Sequence, residues 1–104
     1  MSELVEMNIE KMQASAQKAS NIMKLLGHPH RLMILCELNA GEMSVGELSE
    51  KINIGQSPLS QHLARMRHEG VVSCRRESQT VYYSINKGPA SRLIEVLYDI
   101  YCKV

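Results

Sequence analysis

The chain is predicted to be mainly α with a small β-hairpin wing, a winged helix-turn-helix of order ααααββα, and three observations predict it. A segment with the form of a capping box, Ser44-Val-Gly-Glu47, precedes a longer one, Gln56 to Glu69, that has one apolar and one polar face. The longer segment stops at Gly70 and leads directly into Val71 to Ile85, whose second half alternates with a period of two. Apolar residues also recur at helical spacing near both ends of the chain.

The elements follow in order. Ile9, Met12, Ala16, Ala19, Met23 and Leu26 recur at intervals of three and four, a narrow seam for another helix, which predicts a first helix over about 8–26 closed by Gly27. Pro29 opens a second helix in which Leu32, Leu35 and Cys36 share a face, ending before Asn39-Ala-Gly41. The capping box begins a short third helix, about 44–51, with Ile52 and Ile54 in the turn that follows. The fourth helix, about 57–69, has Ser57 as its expected N-cap and Pro58 at the first helical position. On it Leu59, Leu63 and Met66 point one way, while Ser57, Gln61, Ala64 and His68 point the other, flanked by Ser60 and Arg65. The wing covers about 71–85, with Val71 to Arg75 pairing Val81 to Ile85. Its tip, Arg75 to Gln79, holds no Asn-Gly or Asp-Gly to set a turn type. After Lys87-Gly-Pro89, the positions Ala90, Leu93, Leu97 and Ile100, with Ile94 and Tyr101 beside them, form a last amphipathic helix.

With 104 residues the chain is expected to be a single domain over 1–104, its core built from Leu, Ile, Val and seven Met because it has no Trp or Phe. No apolar run could span a bilayer, and Glu3 and Glu6 argue against a signal peptide, so a cytoplasmic protein without a membrane partner is expected. The formal net charge is only +1, but it is unevenly spread: −2 over residues 1–55, +2 over 56–79 and +1 over 80–104. The clear positive excess therefore lies on the fourth helix and the wing, as a reader of nucleic acid requires. Three cysteines, Cys36, Cys74 and Cys102, without a Cys-x-x-Cys pair, do not make a disulfide framework.

A helix of residues 57–69 is about 20 Å long and fits a major groove about 12 Å wide. Double-stranded DNA is thus the expected partner, with Gln56, Ser57, Ser60, Gln61, His62 and Arg65 as candidate contacts on the helix and Arg75, Arg76 and Gln79 on the wing. His62 stands at the boundary of the packed and polar faces, where a structural role is equally open. The terminal seams predict a homodimer, which would set two reading helices about 34 Å apart on a symmetric operator; the competing reading is that both seams complete the monomer core.

Four runs resemble the ArsR family of bacterial winged-helix repressors: His28-Pro-His-Arg-Leu-Met-Ile-Leu35, Ser44-Val-Gly-Glu-Leu-Ser49, Gln56-Ser-Pro-Leu-Ser-Gln-His-Leu63 and Glu69-Gly-Val-Val72. The resemblance covers nearly the whole chain. It implies a homodimer joined through its first and last helices, with the fourth helix in the major groove and the wing on flanking DNA.

Many members of that family sense metals through two cysteines on the third helix. The matching segment here is Glu42-Met-Ser-Val-Gly-Glu-Leu48, which holds Ser44 and Gly46 at the thiolate positions. A second family site uses histidine on the last helix, and residues 89–104 contain none. His28, His30, His62 and His68 are not spaced as a ligand set, so no metal and no cofactor is expected. The segments Leu32-Met-Ile-Leu-Cys36 and Leu97-Tyr-Asp-Ile-Tyr-Cys102 are similar to a branch of the family that includes persulfide-responsive repressors and a virulence-gene activator. That similarity implies a redox sensor at Cys36 and Cys102 whose effector is a reactive sulfur species or an oxidant. Read from the residues alone, Cys36 packs as a small hydrophobe, neither thiol lies at a helix N-terminus, and Cys74 beside Arg75 is a secondary oxidation candidate. Two other readings stay open: a metal-responsive or ligand-independent repressor with structural cysteines, and a thiol enzyme, for which no Cys-His arrangement is visible.

Overall fold

The computed structural model describes residues 8–103; Glu3 and Glu6, and the outermost parts of the expected domain 1–104, lie outside the described residues. The order of elements is α1 (Ile9–Leu26), α2 (Pro29–Ala40), β1 (Met43–Ser44), α3 (Val45–Ile52), α4 (Gln56–His68), β2 (Val72–Glu77), β3 (Thr80–Ile85) and α5 (Pro89–Tyr101). It is a mainly helical winged helix-turn-helix.

Local chemistry accounts for most boundaries. Asn8 caps α1 by accepting from the Lys11 N–H. His28 caps α2 with its Nδ1, and Pro29 follows at the first helical position. α2 continues through Asn39 and Ala40, two residues beyond the expected end, before Gly41 stops it. The capping box forms as expected: Glu47 N–H donates to Ser44 Oγ at 3.1 Å, and Ser44 N–H donates to the Glu47 carboxylate at 3.0 Å. The turn of the helix-turn-helix is made by Asn53 in the left-handed region (φ 55°), and the Ser49 hydroxyl closes it by donating to Ile54 O at 2.6 Å.

The start of α4 differs from expectation. The helix begins one residue earlier, at Gln56, with Gly55 in the cap position and no side-chain cap. Pro58 then falls third in the helix, still within the first turn, where an N–H has no intrahelical partner to lose. Ser57 is thereby released from capping and is exposed. At the other end Gly70 (φ 76°) donates to Arg67 O and Val71 N–H donates to Met66 O, a Schellman closure that turns the chain into the wing.

The wing has three strands, ordered β1-β3-β2, all antiparallel. The third strand is Met43–Ser44, which pairs with Tyr83 and Tyr82; two residues cannot show a periodicity, so nothing in the sequence marks it. β2 also runs further than expected: Arg75, Arg76 and Glu77 pair with Tyr82, Val81 and Thr80, and the turn is the two residues Ser78 and Gln79, with Ser78 at φ 57°.

The core is a single apolar cluster. Ile34 and Leu35 of α2, Leu48 of α3, Leu59, Leu63 and Met66 of α4 and Ile94 of α5 are fully buried, with Val72 and Tyr83 of the wing packed on them. α4 is therefore held by the three apolar residues read from its sequence. α1 is different, because every residue from Asn8 to Asn21 is exposed. The Cα radius of gyration of 15.9 Å, against about 13 Å for a compact chain of this size, reflects that projecting helix.

Candidate nucleic-acid interface and thiol pair

α4 leaves Gln56, Ser57, Ser60, Gln61 and Arg65 exposed; Ser57, Gln61 and Arg65 lie on the side away from Leu59, Leu63 and Met66, with Ser60 at the edge of that face and Gln56 at the helix start. These residues offer amide, hydroxyl and guanidinium groups to base edges and phosphates. Arg76 and Gln79 are exposed on the wing beyond them.

Arg75 is placed differently from the phosphate contact expected at a wing tip. Its guanidinium is bidentate to Glu42 at 2.8 and 2.9 Å, bonds Glu77 at 2.7 Å and lies 4.6 Å from the Tyr82 ring centroid. The carboxylates raise the Arg75 pKa further above its ordinary value, and Arg75 in turn holds the Glu42 carboxyl below its usual range. Glu42 is a residue that sequence reasoning missed. It reaches Arg75 across 33 positions, through the β1 and β2 strands flanking β3.

His62 turns inward from the exposed polar face of α4. It is half-buried, and its ring centroid is 4.5 Å from that of His28 and 5.9 Å from that of His30. Burial, followed by His28, Arg31 and His30, lowers the His62 pKa and so favours the uncharged ring. The three histidines bring their nitrogens within 4.8 Å of one another. This corrects the expectation that the histidines do not assemble: 32 positions separate His30 from His62, but the fold sets the His62 ring of α4 beside the rings of His28 and His30 at the start of α2. His68 is exposed and lies outside the cluster.

Cys36 and Cys102 line one cleft of about 480 Å³ between α2 and α5, walled by Leu32, Ile94, Leu97 and Tyr101. Cys36 is half-buried and Cys102 exposed, and both are free thiols. Burial above all, then the nearby Cys102 and Glu37, push the Cys36 thiol up. Cys74 is half-buried in β2, where Arg67 donates to its Sγ at 3.1 Å. No helix is long and apolar enough to cross a membrane among the described residues.

Comparison with known proteins gives a consistent picture. Residues 28–73 match the family model described as bacterial regulatory protein, arsR family. The chain is 42% identical over 97 residues to the transcriptional activator HlyU of Vibrio cholerae, covering 93% of this chain and 90% of that one. It is 43% identical over 96 residues to the biofilm growth-associated repressor of Xylella fastidiosa, covering 92% and 84%. Superposed on reduced HlyU from Vibrio cholerae it gives a TM-score of 0.88 at 41% identity, over 91% of this chain and all of that one.

Proposed function

Since the chain belongs to the arsR family of bacterial regulatory proteins, and is a DNA-binding transcriptional regulator rather than an enzyme, we propose that it acts as a homodimer whose operator affinity is set by thiol chemistry at Cys36 and Cys102. The observation that carries this reading is the shared cleft, since it joins a cysteine of α2 to one at the end of α5.

The dimer rests on what α1 and α5 leave uncovered. Ile9 and Met23 on α1 and Ile100 on α5 are each more than 60% exposed, and Tyr101 is 79% exposed. Apolar side chains concentrated on two helices mark an association surface rather than a solvated one. A twofold pairing there would set two α4 helices on successive turns of an operator.

The chemistry balances without a metal or cofactor. The exposed Cys102 thiolate takes the outer sulfur of a persulfide, RS–SH, giving Cys102–S–SH and releasing the thiol RSH. Cys36 then attacks the inner sulfur, forming a Cys36–Cys102 disulfide and expelling hydrogen sulfide. The bridge acts on operator affinity through the folded conformation it favours, α5 drawn onto α2, and a typical allosteric coupling of about 1–3 kcal/mol is the size of effect to look for. The burial of Cys36 favours a second reading, a regulator with inert cysteines. The sign of regulation does not follow from the fold, because similar relatives are described as an activator and as a repressor.

The test is an operator titration of wild type, Cys36→Ser and Cys102→Ser before and after glutathione persulfide, with mass spectrometry of the same samples. The expected result is weaker binding and an intramolecular bridge in wild type alone. Equal responses in all three proteins would exclude the pair as the sensor.

A further inference from the structure

We propose that His28, His30 and His62 form a binding site for a zinc-class divalent metal ion, which pins the reading helix α4 to the start of α2. The nitrogens already converge to within 4.8 Å of one another. Donors at 2.0–2.1 Å from a tetrahedral ion stand roughly 3.4 Å apart, so ligation draws the cluster in by little more than about 1 Å.

Each ligand is positioned by its element. His28 and His30 flank Pro29, whose ring fixes the backbone between them at the first position of α2. His62 projects from the middle of α4, a helix anchored by the buried Leu59, Leu63 and Met66, so its backbone is held in place by the core. The ring of His28 is oriented by its cap, Nδ1 accepting from the His30 N–H at 3.1 Å. Ligation by His28 exchanges that hydrogen bond for a metal bond, either at Nδ1 itself or at Nε2 with the proton moved to Nδ1.

The ligand chemistry selects the class of ion. Three imidazoles without a carboxylate suit zinc, copper or nickel, and disfavour magnesium and calcium, which need oxygen donors. The remaining coordination positions go to water or an added ligand. The site uses neither Cys36 nor Cys102, and none of its residues stands at the third-helix or last-helix positions matching the family's metal sensors, so it stands independently of the thiol reading.

The experiment is a zinc titration of the full chain, kept reduced, against a chromophoric chelator, followed by NMR of the histidine rings. Wild type is expected to bind one zinc per chain with shifts at His28, His30 and His62 and none at His68. His62→Gln and His30→Gln should each lose at least about tenfold in affinity, since loss of even an outer-shell partner costs about 10–100-fold. His28→Asn should lose as much while still folding, because Asn also caps helices well. A Cys36→Ser/Cys74→Ser/Cys102→Ser protein should retain the zinc, and the melting temperature should rise with zinc in wild type but not in His62→Gln. Equal zinc affinity in His62→Gln, a shift at His68 as large as at His62, or loss of zinc from the cysteine-free protein would each overturn the site.

Discussion

Leu63 and Gln61 stand two residues apart on α4, and substituting each with alanine separates folding from reading. Leu63 is fully buried against the core, whereas Gln61 is exposed on the opposite side. Leu63→Ala removes three buried carbons, about 2.4 kcal/mol of transfer free energy at about 0.8 kcal/mol each. The cavity left behind brings the expected loss to about 3 kcal/mol, within the range of about 2–5 kcal/mol for such changes. For a domain of this size that lowers the melting temperature by about 12–25 °C. Gln61→Ala touches nothing in the core and should stay within about 0.5 kcal/mol of wild-type stability. If Gln61 pairs with a base it loses about 1–3 kcal/mol of discrimination, a fall in operator affinity of about 5- to 150-fold with little change on random DNA. Thermal unfolding and parallel titrations on operator and random duplexes measure both effects. The reasoning is refuted if Gln61→Ala melts as low as Leu63→Ala, or if it weakens operator and random binding equally.

Other substitutions probe the wing, the helix end and the thiol. Glu42→Gln removes one carboxylate from Arg75, so DNA binding should strengthen without sequence preference and the slope of log affinity against log salt should steepen by about one; an unchanged slope would mean Arg75 never meets phosphate. Gly70→Ala keeps a φ of 76° with open space around the new methyl, so its cost is conformational only, about 1 kcal/mol in urea unfolding. A much larger loss would point to a steric clash. Cys36 should be alkylated more slowly at pH 7 than an unstructured cysteine, because burial first and then Cys102 and Glu37 raise its pKa. Its folded pKa lies above the unfolded one, so its contribution to stability is full below the unfolded thiol pKa and is lost as pH rises through the folded value. Cys36→Ala should flatten that part of the stability profile, and a profile unchanged by the substitution would refute the assignment.

The elements of this protein were legible wherever one segment carries its own instruction. The Ser44 and Glu47 capping box, the Leu59, Leu63 and Met66 stripe, the stop at Gly70 and the alternation around Tyr83 depend on neighbours within a turn or a strand, and they appear in the structure as read. The N-cap of α4 was misplaced by local reasoning because proline is tolerated throughout a first turn.

What linear order cannot show is which distant side chains meet. The third strand at Met43, the Glu42 hold on Arg75, the cleft shared by Cys36 and Cys102 and the meeting of His62 with His28 and His30 all join residues more than 30 positions apart. Each is created by helices and strands closing on a common core, a process driven by burial of apolar faces rather than by the polar groups it brings together. The sequence alone therefore determined the helix-turn-helix and the polar side chains that α4 exposes. Only the tertiary structure decided that Glu42 holds Arg75 while Arg76 stays exposed, that Cys36 and Cys102 line one cleft, and that His28, His30 and His62 gather beside α4.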